Sequence, residues 1–215
     1  MKVGFFGGTF DPPHLGHMAV AKAAAEAFQL DSVMFAPVGN QPLKPGMTMT
    51  PYEDRLAMVT LACQECQPGL VSKPGGYQVI NFSPSAIDQP RPDGAPNYTV
   101  DTLELFSRKT PQAKLYCVVG ADSFLSLRKW REPKRLLTLA EWIVVSRPGY
   151  SLDDLTSLGL TDAERARVHL LETVHFDVSS TYLRERLAAG DSARDLLPDS
   201  VARYIREHNL YRVAE

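Results

Sequence analysis

Val3-Gly4-Phe5-Phe6-Gly7-Gly8-Thr9-Phe10-Asp11-Pro12-Pro13-His14-Leu15-Gly16-His17 is the stretch that decides the reading of this chain. Lys2 to Phe6 is a short apolar run ending in two glycines, the pattern of a buried parallel strand. Gly7 and Gly8 can take backbone angles closed to other residues and let a ligand come close. Asp11-Pro12-Pro13 breaks the chain's direction, and the alanine-rich run from His14 to Phe28 predicts a helix. The unit is strand, glycine turn and helix, with His14 and His17 in the first helical turn. A helix N-terminus carries about half a positive charge and several unpaired N–H groups, so it favours phosphate. Side chains three apart share a helix face, about 5–6 Å apart at Cβ. Two imidazoles in that position can donate hydrogen bonds to phosphate oxygens.

Two other readings of the stretch fit less well. A helical zinc pair usually takes i, i+4 spacing with a nearby glutamate, whereas these histidines are at i, i+3 with Leu15-Gly16 between them. Gly7-Gly8 does not extend to a dinucleotide-binding G-x-G-x-x-G, because Phe10 and Pro13 occupy the wrong places.

The rest of the chain sets bounds. Its 215 residues suit one domain over 1–215, whose C-terminal part begins at about residue 176. A net charge of −2 gives no bulk attraction to nucleic acid or to an anionic membrane. Met1-Lys2 runs straight into the first strand without an apolar signal segment, and no apolar run nears the ~18 residues of a membrane span. A cytoplasmic protein is expected, and a homo-oligomer is compatible with this composition. Three cysteines suit a reducing compartment. Cys63-x-x-Cys66 lacks the second pair that a structural zinc needs, so these thiols read as packing or surface groups.

Strands are expected at Ser32–Val38, Tyr77–Phe82, Lys114–Val119, Glu141–Val145 and Val168–Val174. Helices are expected from Thr50 to Cys66 with Thr50 as N-cap, from Thr99 to Arg108 with Thr99 as N-cap, through Leu125–Trp130, over Glu132–Leu139, from Ser179 or Ser180 to Ala189, and over Pro198–Leu210. Asp88–Pro96 has the makeup of an exposed loop and reads as a neutral insertion. Strand and helix alternate throughout. The expected class is α/β, a Rossmann-like doubly wound parallel sheet with helices on both faces. Arg55 reads as structural. His169 and His175 read as structural too, and Arg147 either lines a site or fixes a turn.

The first stretch resembles the G-T-F-D-P-x-H-x-G-H signature of nucleotidyltransferases that adenylylate small phosphates with ATP, with every fixed position filled. Val178-Ser179-Ser180-Thr181-Tyr182-Leu183-Arg184 is similar to the same group's I-S-S-T-x-x-R. Asn97-Tyr98-Thr99-Val100-Asp101-Thr102 and Gly120-Ala121-Asp122 through Trp130 resemble segments of the bacterial nicotinate-mononucleotide adenylyltransferases. That resemblance implies transfer of the adenylyl group of ATP to nicotinate mononucleotide. It implies that His14, His17, Lys44 and Arg184 act on the triphosphate. ATP would lie along Gly8, Thr9, Phe10 and Gly16, against Gly120 and Asp122, and at Ser179, Ser180 and Thr181. Thr99, Trp130 and Arg131 would receive the pyridine ring and its carboxylate, and Mg²⁺ would enter with ATP. The sequence offers no dedicated acidic cage for a resident metal. In the loop carrying Lys44, Leu43 stands where the family often has histidine. An adenylyltransferase for the amide, a phosphopantetheine adenylyltransferase and a non-catalytic nucleotide sensor are the rival readings.

Overall fold

The computed structural model describes residues 1–42, 49–73, 76–146, 152–172 and 178–212. In chain order the strands are β1 (Lys2–Gly8), β2 (Ser32–Pro37), β3 (Gly69–Lys73), β4 (Gly76–Pro84), β5 (Lys114–Gly120), β6 (Glu141–Val145) and β7 (Val168–Leu171). The helices are α1 (Leu15–Phe28), α2 (Tyr52–Glu65), α3 (Thr99–Lys109), α4 (Ala121–Phe124), α5 (Pro133–Leu139), α6 (Asp162–Arg165), α7 (Ser180–Ala188) and α8 (Asp199–Glu207). The strands form one sheet in the order β3-β4-β2-β1-β5-β6-β7, parallel except for the antiparallel β3–β4 pair.

The chain builds outward from β1 on one side and then crosses back through α3 to β5 on the other. That reversal leaves a crevice beyond the C-terminal ends of β1 and β5, where open α/β sheets receive ligands. Alternate residues of each strand feed two cores. Tyr116 and Val118 of β5 pack with residues of α1, α2, α7 and α8. Leu115, Cys117 and Val119 pack with α3, α4 and α5. Both faces are thus covered, as near-continuous apolar strands require.

Several elements depart from the sequence reading. β3 was not expected, because among the described side chains of Gly69–Lys73 only Val71 is buried, while Leu70 faces solvent. Gln67 pins the hairpin, donating from Nε2 to the Phe82 carbonyl (2.6 Å) and accepting the Phe82 N–H at Oε1 (2.9 Å). Pro51, not Thr50, occupies the N-cap of α2, because Thr50 is held by tertiary bonds to Asp11 and Arg55. Tyr98, not Thr99, caps α3. Leu125–Trp130 holds only a 3-10 turn at Leu127–Lys129, and β7 ends at Leu171. Ser179 caps α7 as expected, accepting the Tyr182 N–H at 3.2 Å.

Candidate active site

Two chambers open at the crevice, of ≈ 380 Å³ and ≈ 410 Å³, and Thr9 and Ser123 line both. The larger chamber lies over the first turn of α1. His14 is the N-cap of that helix and His17 its third residue. Their rings stack with centroids 3.7 Å apart, and the His14 N–H donates to His17 Nδ1 at 3.2 Å. Burial lowers the His14 pKa to about 4, and burial together with His14 holds His17 well below the usual histidine range. Both rings are therefore neutral at pH 7. A neutral imidazole that accepts at Nδ1 carries its proton on Nε2, so His17 presents an Nε2–H donor. His14 Nδ1 is buried without a hydrogen-bond partner among the described residues. A Cβ at Gly16 would lie 2.8 Å from Val178 Cγ1 and 3.0 Å from His14 Nδ1, so only glycine lets the ring and the approach to α7 close on α1.

The two ends of the chain meet in this chamber. Ser180 Oγ donates to the Pro12 carbonyl at 3.0 Å, and Arg184 Nη1 donates to the Asp11 carbonyl at 2.8 Å. Arg184 Nη2 donates to Thr181 Oγ1 at 3.2 Å, which turns the guanidinium along the N-terminal turn of α7. Gly120 and Asp122, at the start of α4, also line this chamber. Beneath the glycine turn, the buried Arg55 donates to the carbonyls of Thr9 (2.9 Å), Val38 (2.8 Å) and Thr50 (2.9 Å). Its reading as a structural residue holds.

The smaller chamber is lined by Gly8, Thr99, Trp130 and Arg131, with Asp88 and Asn97 below them. Trp130 is half-buried, and its Nε1–H donates to Ser126 Oγ at 3.0 Å. The Arg131 guanidinium lies 4.7 Å from the centre of the Tyr98 ring, a cation–π contact at the mouth. The expected neutral loop is corrected at its start, where Asp88 is buried and accepts from Thr102 Oγ1 at 2.8 Å. Burial pushes its carboxyl up to about 6. Gly39 makes this packing feasible, since a Cβ there would lie 2.4 Å from the Pro90 nitrogen. Asn97 and Asn40 tie the far end of the loop to the chain just after β2, with Asn40 N donating to Asn97 Oδ1 at 2.8 Å.

The cytidylyltransferase-like family model matches residues 5–186. A protein of Roseiflexus sp. (strain RS-1) named "Probable nicotinate-nucleotide adenylyltransferase" is 42% identical over 210 residues, covering 98% of each chain. One of the same name from Thermomicrobium roseum is 39% identical over 214 residues, covering 100% of this chain and 93% of its own. The chain belongs to the nicotinate-nucleotide adenylyltransferase family. The fold agrees: a Plasmodium falciparum nicotinic acid mononucleotide adenylyltransferase complexed with NaAD superposes with a TM-score of 0.73 at 18% identity, over 98% of this chain and 97% of that one.

The chain gathers its sequence-marked residues in two groups. Thr9, Phe10, His14, Gly16, His17, Gly120, Asp122, Ser179, Ser180, Thr181 and Arg184 line the larger chamber, and Gly8, Thr9, Thr99, Trp130 and Arg131 the smaller. Lys44, Arg147 and His175 lie outside the described residues. His169 sits far from both chambers, with Nε2 2.8 Å from Glu141 Oε2. Cys63 and Cys117 are buried free thiols, and burial pushes Cys63 up to about 12, the reverse of a reactive cysteine. The family signature marks Asp11, but sequence reading credited that residue only with turning the chain. The structure buries it at 1% exposure, and its carboxylate accepts from Thr50 N (3.2 Å) and Tyr211 OH (2.7 Å). An acidic residue inside an apolar, glycine-rich motif was the signal available. Among the described residues no cluster of three or more His, Cys, Asp or Glu could hold a metal ion, and no helix is long and apolar enough to cross a membrane.

Proposed function

We propose that the chain joins MgATP and nicotinate mononucleotide into nicotinate adenine dinucleotide and pyrophosphate, a step of NAD synthesis. The observation that carries this reading is the junction of two chambers at Thr9 and Ser123, one flanked by His17 and Arg184 and the other by Trp130 and Arg131. A phosphate oxygen of the mononucleotide attacks the α-phosphorus of ATP. The bond from that phosphorus to the bridging oxygen breaks, and its electron pair leaves with pyrophosphate. No protein nucleophile is required, so the chain supplies position and charge.

In this reading the triphosphate lies along the glycine turn and the first turn of α1. His17 Nε2–H and the buried His14 ring face the phosphates as neutral donors. Ser179, Ser180, Thr181 and Arg184 hold the leaving pyrophosphate at the start of α7, where a planar cation and a helix N-terminus converge. Asp122 receives ribose hydroxyls. Trp130 stacks on the pyridine ring. Thr99 and Arg131 receive the pyridine carboxylate, and the Arg131 cation favours the acid over the neutral amide. Mg²⁺ enters bound to ATP as part of the substrate. The three free cysteines suit a cytoplasmic setting.

The test is pyrophosphate release with MgATP and, in parallel, nicotinate mononucleotide, nicotinamide mononucleotide or phosphopantetheine. The expected result is fastest release with the first. Release only with phosphopantetheine, or with none of the three while ATP still binds, overturns the reading.

A further inference from the structure

The Asp11 carboxylate has no part in the reaction just described, yet Asp11 is a lining residue of the chamber assigned to the triphosphate. A buried carboxylate beside a polyanion opposes binding unless its charge is occupied elsewhere. Two donors occupy it. Thr50 N–H reaches Oδ2 at 3.2 Å, and Tyr211 OH reaches Oδ1 at 2.7 Å across 200 residues of chain. Burial beside Asp11 pushes the Tyr211 phenol well above the usual tyrosine range, so it stays a donor. The Asp11 carbonyl is the acceptor that fixes Arg184 Nη1, at 2.8 Å.

The backbone around Tyr211 shows what this contact requires. Asn209 and Tyr211 take φ of 52° and 63°, the left-handed region. A bulky residue there is a strained outlier, typically at a cost of about 1–3 kcal/mol, that persists only where surrounding contacts enforce it. Two reversals after α8 swing the tyrosine back onto the first motif of the chain. Phe10, next to Asp11, takes φ of 50°, so left-handed backbone stands beside the bond at the first motif as well.

We propose that Tyr211 is a positioning residue for the triphosphate chamber, turning the Asp11 carboxylate away from the phosphates and thereby fixing the backbone carbonyl that aims Arg184. The segment 209–212 thus acts as a strap whose docking and the binding of ATP favour each other. This inference rests on the assignment of the larger chamber to ATP.

Two measurements on the full chain test it. The first is binding of Mg²⁺ with a non-hydrolysable ATP analogue, and separately of nicotinate mononucleotide, by titration calorimetry. Tyr211→Phe removes one hydrogen bond to a charged group, and such a loss weakens binding about tenfold. The analogue should lose about that factor, with mononucleotide affinity unchanged within about twofold. Asp11→Asn removes the opposing charge while its amide oxygen still accepts from Tyr211, so it should cost the analogue less than about twofold, and adding it to Tyr211→Phe should recover most of the lost affinity, because both act through one contact. The second measurement needs no variant. By reciprocity the analogue should slow backbone hydrogen exchange over 209–212, and the mononucleotide should not. Unchanged analogue affinity in Tyr211→Phe, equal weakening of both ligands, or no added protection of the strap each overturns the proposal. If the wild-type chain binds the analogue but makes no dinucleotide, the proposed function fails while these measurements still decide the strap.

Discussion

His14 and His17 are coupled twice, by ring stacking at 3.7 Å between centroids and by the His14 N–H on His17 Nδ1. The stack keeps both rings dry and neutral, and the hydrogen bond sets which nitrogen of His17 carries the proton. His17→Ala should lower turnover on the order of 10²-fold, the scale seen when one preorganised donor to a developing charge is removed. His17→Asn, which can still present an N–H, should recover part of it. Steady-state pyrophosphate release checks this, and normal turnover in His17→Ala would sink the role.

Trp130 separates the two ligands experimentally. Of the two chambers it lines only the smaller, and Ser126 Oγ fixes its indole at 3.0 Å. Trp130→Ala should raise KM for nicotinate mononucleotide about tenfold or more and leave KM for MgATP within about twofold. Equal shifts in both constants would place the ring in the core rather than against the substrate.

Gly16 is a close approach between α1 and the chain leading into α7. With Val178 Cγ1 2.8 Å from an added Cβ and His14 Nδ1 at 3.0 Å, Gly16→Ala must push one of them aside. Overpacking of this kind costs about 1–3 kcal/mol. Urea unfolding should show that loss, and turnover should fall more than stability alone explains because the His14 ring moves.

Asp88 and the histidines should pull stability in opposite directions as pH falls. The folded chain keeps His14 neutral down to about 4 against an ordinary 6.5, so between those values the unfolded chain binds the extra proton and stability falls with pH. His17 adds to the same trend. Asp88 is raised from 3.8 to about 6, so across that range the folded chain holds the extra proton. Its contribution is greatest at low pH and is lost as pH rises through about 6. Asp88→Asn removes only this second trend. Its unfolding free energy should therefore fall more steeply than the parent's from about pH 6.5 to 4, and as pH rises it should gain on the parent up to about pH 6 and no further above it. Parallel curves for the two proteins would show that Asp88 is not the opposing group.

What the sequence revealed follows from the range of each interaction. The stretch Val3–His17 encodes its strand, turn and helix locally, so order, boundaries and the placing of both histidines are readable. The parallel strands bury both faces and stand out as apolar runs, whereas among the described side chains of β3 only Val71 is buried. Capping was misread at Thr50 and Thr99 because tertiary partners hold the first and Tyr98 takes the cap position ahead of the second. Asp88 looked like loop because its neighbours are proline, glycine and charge. Its burial comes from Thr102, 14 residues on, and from the space left at Gly39. The Tyr211–Asp11 bond has no periodicity to betray it.

The shared wall of the two chambers, Thr9 and Ser123, bears on inhibitor design. Two separate ligands each give up their translational and rotational freedom on binding, whereas one molecule linked across that wall does so once. A stable, non-scissile linkage between a purine nucleotide end and an acidic aromatic end should therefore bind more tightly than either fragment by several orders of magnitude. Its length would be set by the span from the His17 side of Thr9 to the Trp130 side of Ser123.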